Sequence, residues 1–282
     1  MKIKEKSSKS NFKKNKRIVI ACIMLILIIT IGIFAPLIAP ADPIEQDLSN
    51  ILQTPNDKHL FGTDQFGRDI FSRIIYGIRI SLVEICMSIG IAFVIGVLLG
   101  LIAGYYGGKV DLIIISFLDI LAAFPGIILA ILIITVLGPS LINMLIAISL
   151  FSIPVFGRLV RNSTIYLKNK EFVIAAKAIG VNDRNIMFKH IFKNSFTPLL
   201  VQISLTAGGV ILNASSLSFL GLGAQPPIPE WGLMIGQGRN FIGLAPHLCL
   251  FPGLAISYIV LAFTFLGDGL RDYLDPNLKN KM

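Results

Sequence analysis

The sequence predicts an all-α membrane protein with six transmembrane helices, and three observations carry that prediction. Only 15% of the 282 residues are charged and 54% are hydrophobic, against roughly 25% charged in an average soluble domain. A soluble globule could not cover its surface with so few charges, and a chain this apolar is not disordered. Long stretches lack Asp, Glu, Lys and Arg altogether, and about 20 such residues suffice to cross the hydrocarbon core as a helix. The cations are also unevenly placed. Of 25 Lys and Arg, 20 fall in residues 1–17, 105–111, 158–196 and 268–282, and five in the alternate connections. That asymmetry puts the first set inside the cell. The net charge of +9 is thereby explained as topology, and a nucleic-acid partner has no support.

Residues 1–17 hold seven Lys, one Arg and one Glu and read as a basic cytoplasmic tail. Residues 18–39 form the first span. The charge-free stretch is longer than the roughly 7–15 apolar residues of a signal peptide, so an uncleaved helix is expected despite the small residues Ala39 and Ala41. Residues 40–81 form an extracytoplasmic segment. From Asp69, Ile70, Phe71, Ile74, Ile75 and Ile78 recur at helical spacing among Arg68, Arg73 and Arg79, predicting an amphipathic helix at the interface. It reads as a structural cap or as a surface near the substrate entrance.

The remaining spans are expected near 83–105, 111–135, 140–158, 197–221 and 247–268. Gly138-Pro139-Ser140 separates the third from the fourth, and Pro226, Pro227 and Pro229 end the fifth. Pro125-Gly126 in the third span, and Gly208 and Gly209 in the fifth, permit bending or close helix approach. Two readings stand: a pore-lining gate, or plain packing. Trp231 is expected at the outer interface, and Cys22, Cys86 and Cys249 as buried thiols.

The inner connection 158–196 is long for a helical bundle and carries a net +6. It reads as a helix near 159–179, a turn at Gly180-Val181-Asn182, and a helix near 183–193. Gly180 suits the position just past a helix end, where positive φ is required, and Asn182 or Asp183 suits an N-cap. Ile174, Ala175, Ile179, Ile186, Met187 and Ile191 give an apolar face that needs neighbouring spans or a partner protein.

Phe172-Val173-Ile174-Ala175-Ala176-Lys177-Ala178-Ile179-Gly180, with Ile191 eleven residues on, resembles the coupling loop of ABC-importer permeases. Leu60-Phe61-Gly62-Thr63-Asp64-Gln65-Phe66-Gly67-Arg68-Asp69, Leu217-Ser218-Phe219-Leu220-Gly221-Leu222-Gly223, Pro226-Pro227-Ile228-Pro229-Glu230-Trp231-Gly232 and Gly267-Asp268-Gly269-Leu270-Arg271-Asp272 with Leu274-Asp275-Pro276 resemble the second permease subunit of the dipeptide, oligopeptide and nickel importers. Ile174 stands where that family carries Glu, and the loop's closing Pro is replaced around Lys193.

The resemblance implies a type I ABC-importer permease fold in a prokaryotic cell membrane, both termini cytoplasmic. Its permease core would span 82–271, its coupling loop 158–196, and its tail 272–282. It implies half a translocation pore for short peptides, with nickel or a metal chelate as the alternative cargo. The partners it implies are a second homologous permease, two ABC ATPases, an extracytoplasmic substrate-binding protein and membrane lipid. The loop residues it marks for ATPase coupling are Ala175, Ala176, Gly180, Asn182, Asp183 and Ile191. No G-x-x-x-x-G-K-[ST] loop occurs in the sequence, so ATP and Mg are expected on the ATPase partners, with no cofactor, metal site or catalytic residue here. The three His lie in separate segments. A secondary transporter or an intramembrane protease using Asp119 and Asp268 are distant alternatives. Repeated halves are not visible, and a basic partner or solvation accounts for each Asp.

Overall fold

The computed structural model describes residues 16–274. Most of the basic tail, and Asp275 and Pro276 of the C-terminal motif, lie outside the described residues. Within them the chain is helical apart from loops and one isolated antiparallel bridge, Thr63 with Asp69.

The helices are α1 (Lys16–Ile33), α2 (Ala35–Ile38), α3 (Ile70–Tyr106), α4 (Gly108–Ala123) and α5 (Gly126–Leu137), then α6 (Leu141–Leu167), α7 (Glu171–Ala178), α8 (Asp183–Phe219), α9 (Trp231–Gly238) and α10 (His247–Leu274). Local chemistry sets several of their ends. Pro36 lies at the start of α2, just past the break that ends α1. Asp69 caps α3 by accepting from the Ser72 N–H at 2.7 Å, and Ser140 caps α6 by accepting from the Asn143 N–H at 3.1 Å.

Five helices, α1, α3, α6, α8 and α10, are long and apolar enough to cross a membrane, and the pair α4–α5 makes a sixth only if counted together. Two bonds show that it does. Lys168, just past α6, donates to the Gly104 carbonyl near the end of α3 at 2.9 Å, so α3 and α6 finish at the same end of the bundle. The chain between them must therefore return across it. Likewise Arg17 at the start of α1 pairs with Asp272 at the end of α10 at 3.1 Å, which requires an even number of crossings. Side chains such as Ile23, 60% exposed, and Ile26, 64% exposed, form the apolar surface that lipid covers while each helix satisfies its own backbone.

The largest interface joins α3 to α6. Gly96, Gly100 and Gly104 form a stripe at four-residue spacing, and a Cβ at Gly100 would lie 2.4 Å from the Gly157 carbonyl oxygen. Backbone meets backbone there, the close approach that small residues allow in membrane helices.

Four expectations about elements are corrected. The helix foreseen over 111–135 is two helices bent by 88° at Phe124-Pro125. The amphipathic interface helix is not separate: α3 runs unbroken from Ile70 to Tyr106. Its apolar face is covered by protein, with Ile70, Ile75 and Ile78 all buried. The inner helix foreseen over 159–179 is instead the end of α6, a turn and the short α7. The helix foreseen over 183–193 is the opening of α8, joined to the rest through a π-helical stretch, Ile186–Phe192.

Two side-chain expectations are corrected as well. Trp231 is not an interfacial anchor: it is 1% exposed and its Nε1–H donates to the Ile74 carbonyl at 3.2 Å. The thiols are free but not buried. Cys22 and Cys249 are half-buried and Cys86 is exposed.

An outer layer caps the end opposite Lys168. Arg68 donates to Asp64 at 2.6 Å, Arg73 donates to the Pro43 carbonyl at 2.7 Å, and His59 meets Asp69 at 2.9 Å. Phe61 stacks on Phe251 with centroids 4.0 Å apart. Glu230 caps α9 by accepting the N–H groups of Gly232 and Leu233 at 2.9 and 2.6 Å. Burial pushes its carboxyl up to about 7 even though those two N–H groups favour the ionised form.

Candidate functional site

Two features stand out as candidates: the connection between α6 and α8 and the break at Pro125. At the end of the bundle marked by Lys168, α7 closes in a Schellman turn. The Gly180 N–H bonds the Lys177 carbonyl and the Val181 N–H bonds the Ala176 carbonyl, each at 3.1 Å. Gly180 has φ +83°, the left-handed conformation in which a Cβ is penalised. Asn182 is the N-cap of α8, accepting from the Asn185 N–H at 2.9 Å. Asp183 accepts from the Tyr105 hydroxyl at 2.5 Å and so ties the turn to the end of α3.

The apolar residues of this connection divide into two sets. Ile186 and Ile191 are 0% exposed and pack into the bundle with Met187, while Val173 and Ala176 turn the inner side of α7 toward the same core. On its other side α7 presents Phe172, Ile174 and Ile179, the last 81% exposed, with Ala175 among them. The start of α8 thus packs against neighbouring spans, while α7 leaves an apolar face exposed. Of the six residues marked in this loop, Ala176 and Ile191 are inward, and Ala175, Gly180, Asn182 and Asp183 are exposed.

The break has a local cause. Proline disfavours the helical conformation in the residue before it; Phe124 is extended at φ −90°, ψ 137°, and α5 starts afresh after Pro125. Beside the break lies a pocket of about 220 Å³, walled by Ala122, Phe124, Gly126, Phe151, Pro154 and Arg158. Arg158 donates to Asp119 at 2.7 Å. One helical turn further in, Arg161 grips Asp111 with two bonds, of 2.5 and 2.6 Å. Gly208 is placed elsewhere, a Cβ there meeting Val260 and Thr264 of α10, whereas a Cβ at Gly209 would meet nothing within 4 Å. Gly126 therefore lines a pocket just after Pro125, while Gly208 lies against α10.

Three features escaped the sequence reading. The Gly96, Gly100, Gly104 stripe was legible as a repeated four-residue spacing. Arg158 looked like a span boundary because α6 was expected to stop there. Glu84 sits within an apolar run and gives no periodic signal, yet it is 0% exposed and neither carboxyl oxygen has a hydrogen-bond partner among the described residues.

Residues 96–280 match the family profile of the binding-protein-dependent transport system inner membrane component. Residues 9–55 match that of the N-terminal TM domain of oligopeptide transport permease C. The chain belongs to the binding-protein-dependent transport permeases. It is 51% identical over 268 residues to the dipeptide transport system permease protein DppC of Alkalihalophilus pseudofirmus, covering 95% of this chain and 88% of that one. It is 46% identical over 263 residues to the glutathione transport system permease protein GsiD of Pectobacterium atrosepticum, covering 93% and 87%. An inward-facing structure of the MetNI methionine ABC transporter shares the fold, with TM-score 0.58 and 19% identity over 72% of this chain and 97% of that one. This permease is therefore a multi-pass cell-membrane subunit of an ABC importer, and in such importers ATP hydrolysis belongs to a separate subunit.

Proposed function

We propose that this permease forms half of the pore through which an ABC importer takes up short peptides. In this reading a second homologous permease supplies the other half, an extracytoplasmic binding protein delivers the peptide, and two ATPase subunits carry the ATP and Mg. The observation that carries it is the exposed apolar face of α7, held by a Schellman turn at the same end as the start of α1 and the end of α10. A short helix followed by Ile179, 81% exposed, is suited to insertion into an ATPase groove. The dipeptide and glutathione relatives support a peptide cargo.

The remaining assignments follow the same reading. Residues 1–17, the part of the 158–196 connection beyond the end of α6 at Leu167 and the tail 272–282 lie in the cytoplasm, and 40–81 lies outside. The core 82–271 holds the pore, with Pro125 and Gly126 at its gate. The test is proteoliposome uptake of a labelled dipeptide by the full complex with its binding protein. ATP-dependent uptake is expected, lost when any subunit is omitted. Uptake by the permease pair alone would refute the reading. A reporter active only in the cytoplasm should work when fused after Lys193 and fail at Gln237; activity at Gln237 would overturn the topology.

A further inference from the structure

We propose that Asp119 and Arg158 line the substrate path and read the two charged ends of a zwitterionic peptide, Asp119 taking the ammonium and Arg158 the carboxylate. The inference rests on the peptide reading above and adds the residues that would recognise the cargo inside the membrane.

Position comes first. Asp119 stands eleven residues beyond the start of α4, about 16 Å along the helix at 1.5 Å per residue. Charged groups on a segment that crosses the membrane face a bundle interior or a water-filled cavity and not lipid. Yet the Asp119 side chain is 57% exposed and that of Arg158 is 47% exposed. The chain alone does not bury this pair, so the surface that bears it is not a lipid-facing one.

Geometry comes second. The inner pair, Asp111 with Arg161, is doubly bonded and only 20% and 26% exposed, as befits a clamp between α4 and α6. Asp119 and Arg158 share a single bond of 2.7 Å. A guanidinium carries five N–H donors and a carboxylate two acceptor oxygens, so each group can accept a substrate charge without releasing the other. Charge-assisted bonds of this kind are the stronger class.

The third observation is room. Arg158 is itself in the wall of the pocket of about 220 Å³, larger than the roughly 150 Å³ cavity that admits benzene. A peptide side chain therefore fits beside the pair. The helix break supplies complementary backbone charge. The carbonyl end of α4 lies one turn beyond Asp119, and the N–H end of α5 opens just after Pro125, giving opposite partial charges at one place.

The test uses the assembled complex, with Cys22, Cys86 and Cys249 replaced by Ser and one reporter thiol, Ala122→Cys or Val155→Cys. Membrane-impermeant cationic and anionic methanethiosulfonate reagents should label both positions in at least one nucleotide state. A free dipeptide delivered by the binding protein should slow labelling, and an N-acetylated, C-amidated dipeptide should not. Arg158→Gln should lower the anionic-to-cationic rate ratio, and Asp119→Asn should raise it, each by about fivefold, as expected for a charge a few ångströms away in a partly aqueous site. No labelling in any state would mean that a partner helix covers the pair, and would overturn the proposal. Labelling whose ratio ignores both substitutions would overturn it too. If the unmodified complex imports no free dipeptide, the peptide reading itself falls; if it imports dipeptide while the rate ratios stay flat, that reading stands and this one fails.

Discussion

Replacing Gly180 separates the geometry of the inner connection from its packing. A Cβ built at Gly180 meets nothing within 4 Å, so no steric clash enters and the whole cost is that of the backbone at φ +83°. For an L-residue that cost is roughly 1–2 kcal/mol, or about a 5–30-fold loss in the population of the turn as drawn. Gly180→Val should sit at or above the top of that range, because β-branching restricts the left-handed region further. Gly180→Asn should be mild, since Asn tolerates that region. The spans should be unaffected, because an added side chain would start in open space. The assay is ATP-dependent dipeptide uptake, with binding-protein-stimulated ATP hydrolysis, at matched membrane abundance. The expected order of uptake is Gly, then Asn, then Val. Equal uptake by the Val variant would refute the claim that this turn aims α7 at its partner. Loss of the Val variant from the membrane would make Gly180 a folding residue.

Further expectations follow from contacts already described. Gly100→Ala puts a Cβ 2.4 Å from the Gly157 oxygen, so α3 and α6 must part and the purified complex should lose about 1–3 kcal/mol, read as a lower Tm; Gly90→Ala, with nothing within 4 Å, is the control and should not lower it. Ile179→Asp should leave membrane abundance intact and reduce ATPase co-purification, because this side chain is 81% exposed; unchanged co-purification would move the docking face off α7. Burial pushes the Glu230 carboxyl up to about 7, so the folded state holds its proton more tightly than the unfolded one. Its contribution to stability is then full below pH 4.5 and lost as pH rises through about 7. Glu230→Gln should flatten the fall in Tm between pH 5 and 8, and an unchanged slope would assign it to another group.

Composition, charge-free runs and cation placement were enough to specify a helical membrane protein, because lipid imposes simple rules: about 20 apolar residues per crossing and no unpaired backbone. Local backbone chemistry was equally legible. Gly180 as the positive-φ residue and Asn182 as the cap were read from residue type and order, since each acts within a few residues of its own position. Tertiary structure decided the rest. Ile70, Ile74, Ile75 and Ile78 have the periodicity of an interfacial helix, but periodicity only says that one face is apolar, and here protein covers it and α3 continues. Pro125 announced a break, while the 88° bend depends on what α4 and α5 pack against. The pairing of Asp119 with Arg158 joins residues 39 apart in sequence, and the Gly96, Gly100, Gly104 stripe matters only because α6 lies against it. Contacts of that kind depend on which helix faces are brought together in space, and no local pattern encodes that.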